Sequence, residues 1–418
     1  MARYAALILP IRAKHSDTIR FDKIDSIMKN MFDAIVLGLG AMGSAAIYQL
    51  AKRGNTVLGI DQFSPPHNYG STHGESRIIR QAIGEGEHYV PLVLRSYEIF
   101  REIEKETAKE LLTITGGLTL ESQQSQGVMH GRHNFLDQAV SCAQKFSIRH
   151  EILEPQDIKK HYPQFAVTNE RGYFEYGSGF LRPELCVEAQ LRLAQNYGAT
   201  VQTGERVISI APRGNSAVTV RTSRAVYAAE KVVVTAGPWM AEFLPPAYRQ
   251  FFKVYRQVMY WFQIWDHVRP AFIPGQFPIF IWIFEGARNF GFYGFPSLDG
   301  KTIKLATEQY DVVTTPDKED GEVSAAEKRS MYSDYIRGRL PGLSDKCESA
   351  MSCLYTTTPD AKFVIDFHPE SDRIIIASPC SGHGFKHSAA IGEILAELAF
   401  DGASKIDISS FSIGRFKT

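Results

Sequence analysis

Hydrophobic and polar positions form a clear strand–helix–strand pattern in the stretch "FDAIVLGLGAMGSAAIYQLAKRGNTVLGID", residues 32–61. Residues 34–37 are a short apolar run, which is typical of a strand buried on both faces. A helix is predicted to about residue 53, where Gly54 ends it. Residues 56–60 then form a second strand closed by Asp61. This order predicts the start of a Rossmann-like nucleotide-binding unit.

The later pattern changes from helices to strands. Helices are predicted over roughly residues 89–110 and 183–197, and strands over much of residues 200–237. From about residue 251 to 305 the chain is rich in aromatic and β-branched residues broken by Gly and Pro, which predicts a second, mostly β lobe. Residues 349–366, "SAMSCLYTTTPDAKFVID", predict a short strand, a turn and a second strand. We therefore predict an α/β chain with two lobes.

The glycines of the first turn carry the first chemical signal. Gly38, Gly40 and Gly43 form G-x-G-x-x-G around Ala41 and Met42, and Asp61 follows about 20 residues later. The first two glycines permit a tight turn close to a pyrophosphate, and the third lets the helix pack on the strand. An acid at that distance is placed to bind ribose hydroxyls. A purely structural glycine turn is the alternative, and the full context disfavours it.

The glycine motif alone leaves NAD and FAD open. If the cofactor were NAD, further strand–helix units should follow promptly. A polar, glycine-rich loop follows instead, "SPPHNYGSTHGESRIIRQA". Further along, "VVVTAG" ends at Gly237 in small residues, which lets backbone pass close to a cofactor.

Composition excludes several classes of function. Lys plus Arg and Asp plus Glu are both 46, a formal net charge of zero, which argues against nucleic acid as the main partner. The five cysteines lack CxxC spacing and fit a reducing cytoplasm better than a disulfide scaffold or a zinc site, so we predict no metal. We expect no membrane helix, because no run of about 18 apolar residues occurs.

Several stretches together resemble a known family. They are "GLGAMGSAAIYQLAKRG", "PPHNYGSTHGESRIIRQAIGEGEHYVPLVLRS", "YRQV", "YGFPS", "CLYTTTPDAKFVIDFHP" and "SGHGFK". In this order they resemble the family of monomeric sarcosine oxidase and N-methyl-L-tryptophan oxidase. These are FAD-dependent amine oxidases of the D-amino-acid-oxidase-like superfamily.

The resemblance implies a Rossmann-like FAD-binding lobe and a mostly antiparallel β lobe with flanking helices that covers the flavin. We assign residues 32–112, 173–244 and 360–418 to the FAD lobe, and 113–172 and 245–359 to the substrate lobe. Residues 1–31 are expected to be a poorly ordered extension. The implied substrate is a small amino acid with a secondary amine. It is oxidised to an imine that hydrolyses, dioxygen is reduced to hydrogen peroxide, and the enzyme is expected to be a monomer.

The resemblance also assigns residues around the flavin. Cys353 matches the cysteine that binds the flavin 8α-methyl through a thioether, although a lone strand cysteine is usually structural. Arg77 matches the arginine under the flavin ring. Ser71, Val207, Gly237, Gly382 and Gly384 complete the expected cofactor site. The helix that starts near Lys386 would stabilise negative charge on the reduced flavin.

A second set of residues is assigned to the substrate. Arg80 and Lys386 match two cations for the substrate carboxylate, and Arg suits bidentate carboxylate binding. The alternative for Arg77 and Arg80 is that both are ordinary surface arginines without a functional role. Tyr293 and Tyr355 match pocket tyrosines, though either could be a core aromatic.

Lys304 and Glu308 are the expected catalytic pair, with Arg77. Lys304 matches a lysine bridged through water to flavin N5, where its charge would help dioxygen take an electron; an exposed strand lysine is the alternative. Glu308 departs from the family, which has a histidine there. It could serve as a base, bind a cationic substrate group or neutralise Lys304.

Two other functions stay open from the sequence. A flavin dehydrogenase would pass its electrons to a quinone or a protein acceptor instead of dioxygen. A flavin-binding sensor or partner protein would have lost turnover, and Glu308 is the only residue that supports it.

Overall fold

The computed structural model describes residues 31–122, 134–214, 216–284, 291–318 and 321–416. The expected extension therefore lies outside the described residues, except for Met31, which is not part of an extension but opens the first strand.

The strands, in chain order, are β1 (Met31–Leu37), β2 (Val57–Ile60), β3 (Arg77–Ile79), β4 (Leu112–Ile114), β5 (Gly117–Ser122), β6 (His150–Leu153), β7 (Glu170–Glu175), β8 (Gly179–Leu181), β9 (Thr200–Gln202), β10 (Val207–Arg213), β11 (Ala217–Thr222), β12 (Val226–Val234), β13 (Lys253–Ile264), β14 (Ile279–Ile283), β15 (Gly291–Gly294), β16 (Thr302–Thr307), β17 (Val313–Thr314), β18 (Leu343–Thr357), β19 (Val364–His368) and β20 (Ser371–Ser378). The helices are α1 (Ala41–Lys52), α2 (Val90–Thr107), α3 (Phe135–Lys145), α4 (Pro155–His161), α5 (Pro183–Asn196), α6 (Pro246–Arg249), α7 (Ala325–Ser330) and α8 (Ser388–Phe400). Helix α2 ends three residues before its predicted end, because Ala108 takes a left-handed φ of 53°.

The first sheet has eight strands and contains the nucleotide-binding pattern. β1 lies in its interior, parallel to β12 on one side and to β2 on the other. β9 continues the sheet beyond β2, and β20 is also parallel to β12. Helix α1 packs against α5 and α8 beside this sheet. Parallel strands buried under helices need apolar side chains on both faces, which the run at residues 34–37 supplies.

The second sheet has nine strands in the order β17-β13-β16-β15-β14-β5-β7-β6, with β18 also on β13. Its pairs are antiparallel except β14 with β5. One face buries a cluster of aromatic rings that includes Phe262, Phe280, Trp282 and Phe292. The predicted mostly antiparallel lobe is therefore confirmed. A short sheet, β3-β8-β4, completes the strands that the structure describes.

The stretch from residue 349 to 366 differs from its prediction. Its first strand is not short, because β18 runs 15 residues and pairs with β13 along most of its length. The second strand, β19, pairs with β20 in the other sheet. The chain therefore passes between the two sheets over residues 358–363. The lobe boundaries at residues 112, 172, 244 and 359 stay a prediction.

Candidate functional site

A cavity lies between the two large sheets and is lined by residues of both. It contains about 1800 Å³ of empty space, open solvent included, and extends from the carboxyl ends of β1 and β2 to the antiparallel sheet. The predicted site residues that line it are Gly38, Gly40, Ala41, Met42, Asp61, Ser71, Arg77, Arg80, Val207, Gly237, Tyr293, Glu308, Tyr355, Gly382, Gly384 and Lys386. Gly43, Lys304 and Cys353 do not line it.

The glycine turn forms the first end of the cavity. Gly38 has a φ of +82°, and Thr235 Oγ1 donates to its carbonyl at 2.7 Å. A Cβ on Gly43 would lie 1.8 Å from Gly38 O, so only glycine lets α1 pack on β1 here. Among the described residues no side chain caps α1 at Gly40. The first N–H groups of α1 are therefore placed to bind phosphate oxygens.

Asp61 supports this turn from the end of β2. Its Oδ2 accepts a hydrogen bond from Leu39 N at 2.7 Å, and its Oδ1 accepts one from Phe63 N at 2.8 Å. Burial raises the pKa of the carboxyl, while the two backbone bonds lower it. Asp61 thus holds the glycine turn in place. It also lines the cavity at the position expected for the ribose of a dinucleotide whose pyrophosphate is bound at that turn.

Aromatic rings extend this end of the cavity, and none of them was predicted from the sequence pattern. Phe63 stacks on Tyr69 with ring centroids 4.4 Å apart and contacts Trp239 at 5.7 Å. Phe63, His67 and Trp239 line the cavity. Flat apolar rings beside an uncapped helix end and an acid fit the adenine, pyrophosphate and ribose of FAD.

Arg77 lies in the middle of the cavity. Its Nη2 donates to Ser71 O at 3.0 Å and its Nη1 to Ser76 O at 2.9 Å. These two carbonyls orient the guanidinium, and Met259 Sδ lies 3.6 Å from Nη1. The position agrees with a fixed cation beside a flavin ring.

Lys304 does not reach the cavity. Its buried Nζ donates to Gly74 O at 2.7 Å and Ser76 O at 2.5 Å, and lies 4.0 Å from the centre of the Phe295 ring. Burial, and next the charge of Arg77, hold its pKa well below the usual value. Lys304 instead lines a separate recess, and Ser76 lines both the recess and the cavity. One turn of backbone therefore separates Lys304 from the cavity.

Cys353 lies just behind the cavity wall. It is buried in a cluster with Met259, Trp261, Ala306 and Tyr355, and Cys380 packs against that cluster. Tyr355 and Cys380 line the cavity, but Cys353 does not. A thioether from Cys353 to a flavin stays a prediction.

Arg80, which is predicted to bind the substrate carboxylate, is paired with a carboxylate of the chain itself, and its substrate role stays a prediction. Its Nη2 donates to both carboxylate oxygens of Glu85, at 2.8 and 2.6 Å, and its Nη1 donates to Ala82 O. Both side chains are buried, and both line the cavity. Sequence reasoning missed Glu85, because only the fold shows that it turns back to meet Arg80. Glu85 therefore already occupies the carboxylate-binding edge of Arg80.

Lys386 and Glu308 line the same cavity from two separate segments, a short 3-10 turn before α8 and the residue after β16. Lys386 Nζ donates to His383 O at 2.6 Å, and burial lowers its pKa to about 7 against the opposing effects of Glu85 and Glu308. Glu308 Oε2 accepts from Tyr310 OH at 3.3 Å. The end of the cavity beside the antiparallel sheet is called the reaction end below. The fold brings Lys386 and Glu308 to this end, in addition to the Arg80–Glu85 pair.

The two predicted pocket tyrosines also meet at the reaction end. Tyr293 and Tyr355 have their hydroxyls 3.2 Å apart. Burial raises the pKa of both, so they stay neutral hydrogen-bonding groups.

Comparisons with known proteins agree with this geometry. A family model described as FAD dependent oxidoreductase matches residues 33–398. The chain is 39% identical to monomeric sarcosine oxidase of Streptomyces avermitilis, over 92% of this chain and 97% of that protein. It is 35% identical to N-methyl-L-tryptophan oxidase of Yersinia pestis, over 92% of this chain and all of that protein.

A solved structure shares the fold at lower identity. NikD, described as an unusual amino acid oxidase essential for nikkomycin biosynthesis, superimposes in its open form with a TM-score of 0.79. It is 23% identical and covers 92% of this chain and 98% of its own. Of the helices that the structure describes, none is long and apolar enough to cross a membrane.

Proposed function

The chain belongs to the FAD dependent oxidoreductases, in the family of monomeric sarcosine oxidase and N-methyl-L-tryptophan oxidase, and we propose that it oxidises a small secondary-amine amino acid with dioxygen. The observation that carries the proposal is one cavity lined by the glycine turn and Asp61 at one end and by Lys386, Glu308 and two tyrosines at the other. The substrate would be N-methylated or cyclic, and the products an imine and hydrogen peroxide.

The first end would hold the nucleotide half of FAD. The N–H groups at the start of α1 would bind its pyrophosphate, Asp61 its ribose, and Phe63 and Trp239 its adenine. When bound, FAD supplies the acceptor for the hydride equivalent that leaves the carbon next to the substrate nitrogen. Cys353 would bind the ring covalently, and Arg77 would lie against it.

The other end would orient the amino acid. Lys386 would bind the substrate carboxylate as a point charge. Arg80 would join it only by sharing its carboxylate-binding edge with Glu85. Glu308 would contact the substrate nitrogen and accept its proton at a carboxylate oxygen, because the amine must be neutral to be oxidised. Tyr293 and Tyr355 would exclude water and donate hydrogen bonds.

Lys304 would serve the dioxygen half of the reaction. Its fixed position beside Arg77 supports a role in stabilising the negative charge that dioxygen gains. Two electrons and two protons convert one dioxygen to one hydrogen peroxide. We expect a monomer, by analogy with the relatives named monomeric sarcosine oxidase. We expect it in the cytoplasm, because its five cysteines lack the pattern of a disulfide scaffold.

Anaerobic mixing followed by aeration tests the reaction. The purified yellow protein is mixed with sarcosine, N-methyltryptophan, pipecolate or proline, and the flavin absorbance is followed. We expect at least one amine to bleach the flavin, and aeration to return the colour with one peroxide per flavin. Bleaching without peroxide would show a dehydrogenase. No bleaching by any amine would favour a flavin-binding sensor or partner protein.

Glu308→Gln tests the proposed nitrogen contact. We expect the pH profile of flavin reduction to change and the ranking of the four amines to shift, because the variant cannot take up a proton. Asp311→Asn, an exposed change in the same loop, is the matched control. If Glu308→Gln keeps both the profile and the ranking, Glu308 does not contact the substrate nitrogen.

A further inference from the structure

The side chain of Glu184 binds the backbone of the turn formed by residues 74–76. It is in the first turn of α5, and its Oε1 accepts hydrogen bonds from Gly74 N at 2.6 Å and from Glu75 N at 3.1 Å. The bonded residues are about 110 positions apart in the chain. One carboxylate therefore satisfies two consecutive backbone donors of a loop that has no regular structure.

The turn itself has an unfavourable backbone. Gly74 has a φ of +96°, and Glu75 has a φ of 69° although it is not glycine. The left-handed region is unfavourable for a residue with a Cβ, so other contacts must hold Glu75 there. Glu75 is also bound by its side chain, because Trp261 Nε1 donates to Glu75 Oε2 at 2.9 Å.

The carbonyls of the same turn bind both cations beside the flavin site. Gly74 O and Ser76 O accept from Lys304, and Ser76 O also accepts from Arg77. Trp261 lies directly opposite Lys304 in the β13–β16 pair. The turn is thus fixed by α5 on one side and by the antiparallel sheet on the other, with Lys304 and Arg77 attached to it.

We propose that Glu184 is a positioning residue for the reaction of the reduced flavin with dioxygen. It holds the Gly74–Ser76 turn, and that turn holds Lys304 on the side of the recess and Arg77 on the side of the cavity where the flavin would lie. The inference rests on the proposed function, which gives these two cations their task. Glu184 contacts neither the cavity nor a reacting atom; it lines the recess that ends at Lys304.

The carboxylate also has an electrostatic effect that can be separated from its hydrogen bonds. The titratable groups that face Lys304 are Arg77, Glu184, Glu75, Cys353 and the neighbouring His73, which burial keeps neutral by lowering its pKa to about 3. Glu184 and Glu75 raise the pKa of Lys304, against the lowering by burial and Arg77. Removing the charge of Glu184 should therefore lower that pKa further, and Lys304 should lose its proton at a lower pH.

Three variants of the FAD-loaded protein separate these effects. Glu184→Gln keeps an oxygen for the two N–H groups but removes the charge, and Glu184→Ala removes both. Glu188→Ala is the matched control, because Glu188 is on the same helix and its exposed side chain pairs with Lys109. The flavin is reduced by light with oxalate as the electron donor, so that no amine substrate is needed. Its midpoint potential and its rate of reoxidation by dioxygen are then measured against pH.

We expect reoxidation of Glu184→Ala to slow by about tenfold or more, and its flavin potential to become more negative, because the cations are no longer held. Glu184→Gln should reoxidise within about threefold of the wild type, with the high-pH limb of its profile moved to lower pH. Glu188→Ala should match the wild type in both the midpoint potential and the reoxidation rate at every pH.

The proposal would be overturned if Glu184→Ala kept the wild-type midpoint potential and reoxidation rate. It would also be overturned if Glu184→Gln reoxidised as slowly as Glu184→Ala. If Glu184→Ala loses its flavin, Glu184→Asp, whose side chain is shorter by one methylene, is used instead. The proposal then requires Glu184→Asp to reoxidise more slowly than Glu184→Gln. A wild type that no amine bleaches would defeat the proposed function and leave this comparison of variants intact. Unchanged variants in a protein that amines do bleach would defeat the positioning role alone.

Discussion

The two ends of the cavity bind by different means. At the nucleotide end the backbone is the binding surface: Gly38 and Gly43 let β1 and α1 approach, and Asp61 fastens the turn between them. At the reaction end the surface consists of side chains, and Arg80, Lys386 and Glu308 arrive from separate parts of the chain. The first end depends on spacing within about 30 residues. The second depends on which charges the fold pairs.

The strongest test of this difference is Gly43→Ala. Its new Cβ would lie 1.8 Å from Gly38 O, so α1 must move off β1. We expect a loss of stability of about 3 kcal/mol or more and almost complete loss of bound flavin. The ratio of flavin to protein absorbance and thermal unfolding measure both. Gly414→Ala, whose Cβ would meet only Ser412 Oγ at 3.4 Å, is the control and should keep its flavin.

The charge pairing at the reaction end is tested by Glu85→Gln. Because the change leaves the buried Arg80 without its anion, we expect about 3 kcal/mol of destabilisation, measured by denaturant unfolding. The freed Arg80 should also bind a simple carboxylate more tightly, in a flavin-absorbance titration with propionate.

Glu87→Gln is the matched control for that change. Glu87 pairs with Lys145 at the surface, and its loss should cost less than about 1 kcal/mol. Equal stability of Glu85→Gln and Glu87→Gln would show that the Arg80–Glu85 pair does not hold the reaction end together.

A smaller effect concerns pH. The pKa of Lys386 is lowered to about 7, so the side chain is charged below that pH and neutral above it. Propionate stays ionised across this range, so its affinity should fall about tenfold from pH 6 to pH 8. Arg80, Glu85 and Glu308 are the other charged groups that act on Lys386. Lys386→Arg should bind propionate with little pH dependence, and an unchanged slope in that variant would exclude Lys386 as the titrating group.

Local features could be predicted from the sequence because they depend on neighbours in the chain. The turn at Gly38, the helix from Ala41 and the strand after Gly54 each follow from a few adjacent residues. The antiparallel sheet followed from β-branched and aromatic runs. The length of β18 did not, because its pairing with β13 extends it through polar residues that the pattern alone would end.

Contacts that depend on the folded backbone explain the features that could not be predicted from the sequence. Glu85 is only five residues from Arg80, but the sequence pattern does not show that the chain turns back to pair them. Lys304 is bound by carbonyls of a turn 230 residues away, which nothing near it in the chain indicates. The family resemblance identified Arg80, Lys304 and Cys353 as site residues but not their contacts. Those contacts, and the roles of Glu85 and Glu184, could be identified only in the structure.

An FAD bound at the glycine turn would extend through the cavity, and its flavin would form a covalent bond with Cys353 at the other end. The intact mass of the denatured chain tests this most directly. The account predicts a wild-type chain heavier by the mass of one FAD, and a Cys353→Ser chain with no added mass. A wild-type chain with no added mass, its yellow colour left entirely in the supernatant after precipitation, would contradict it.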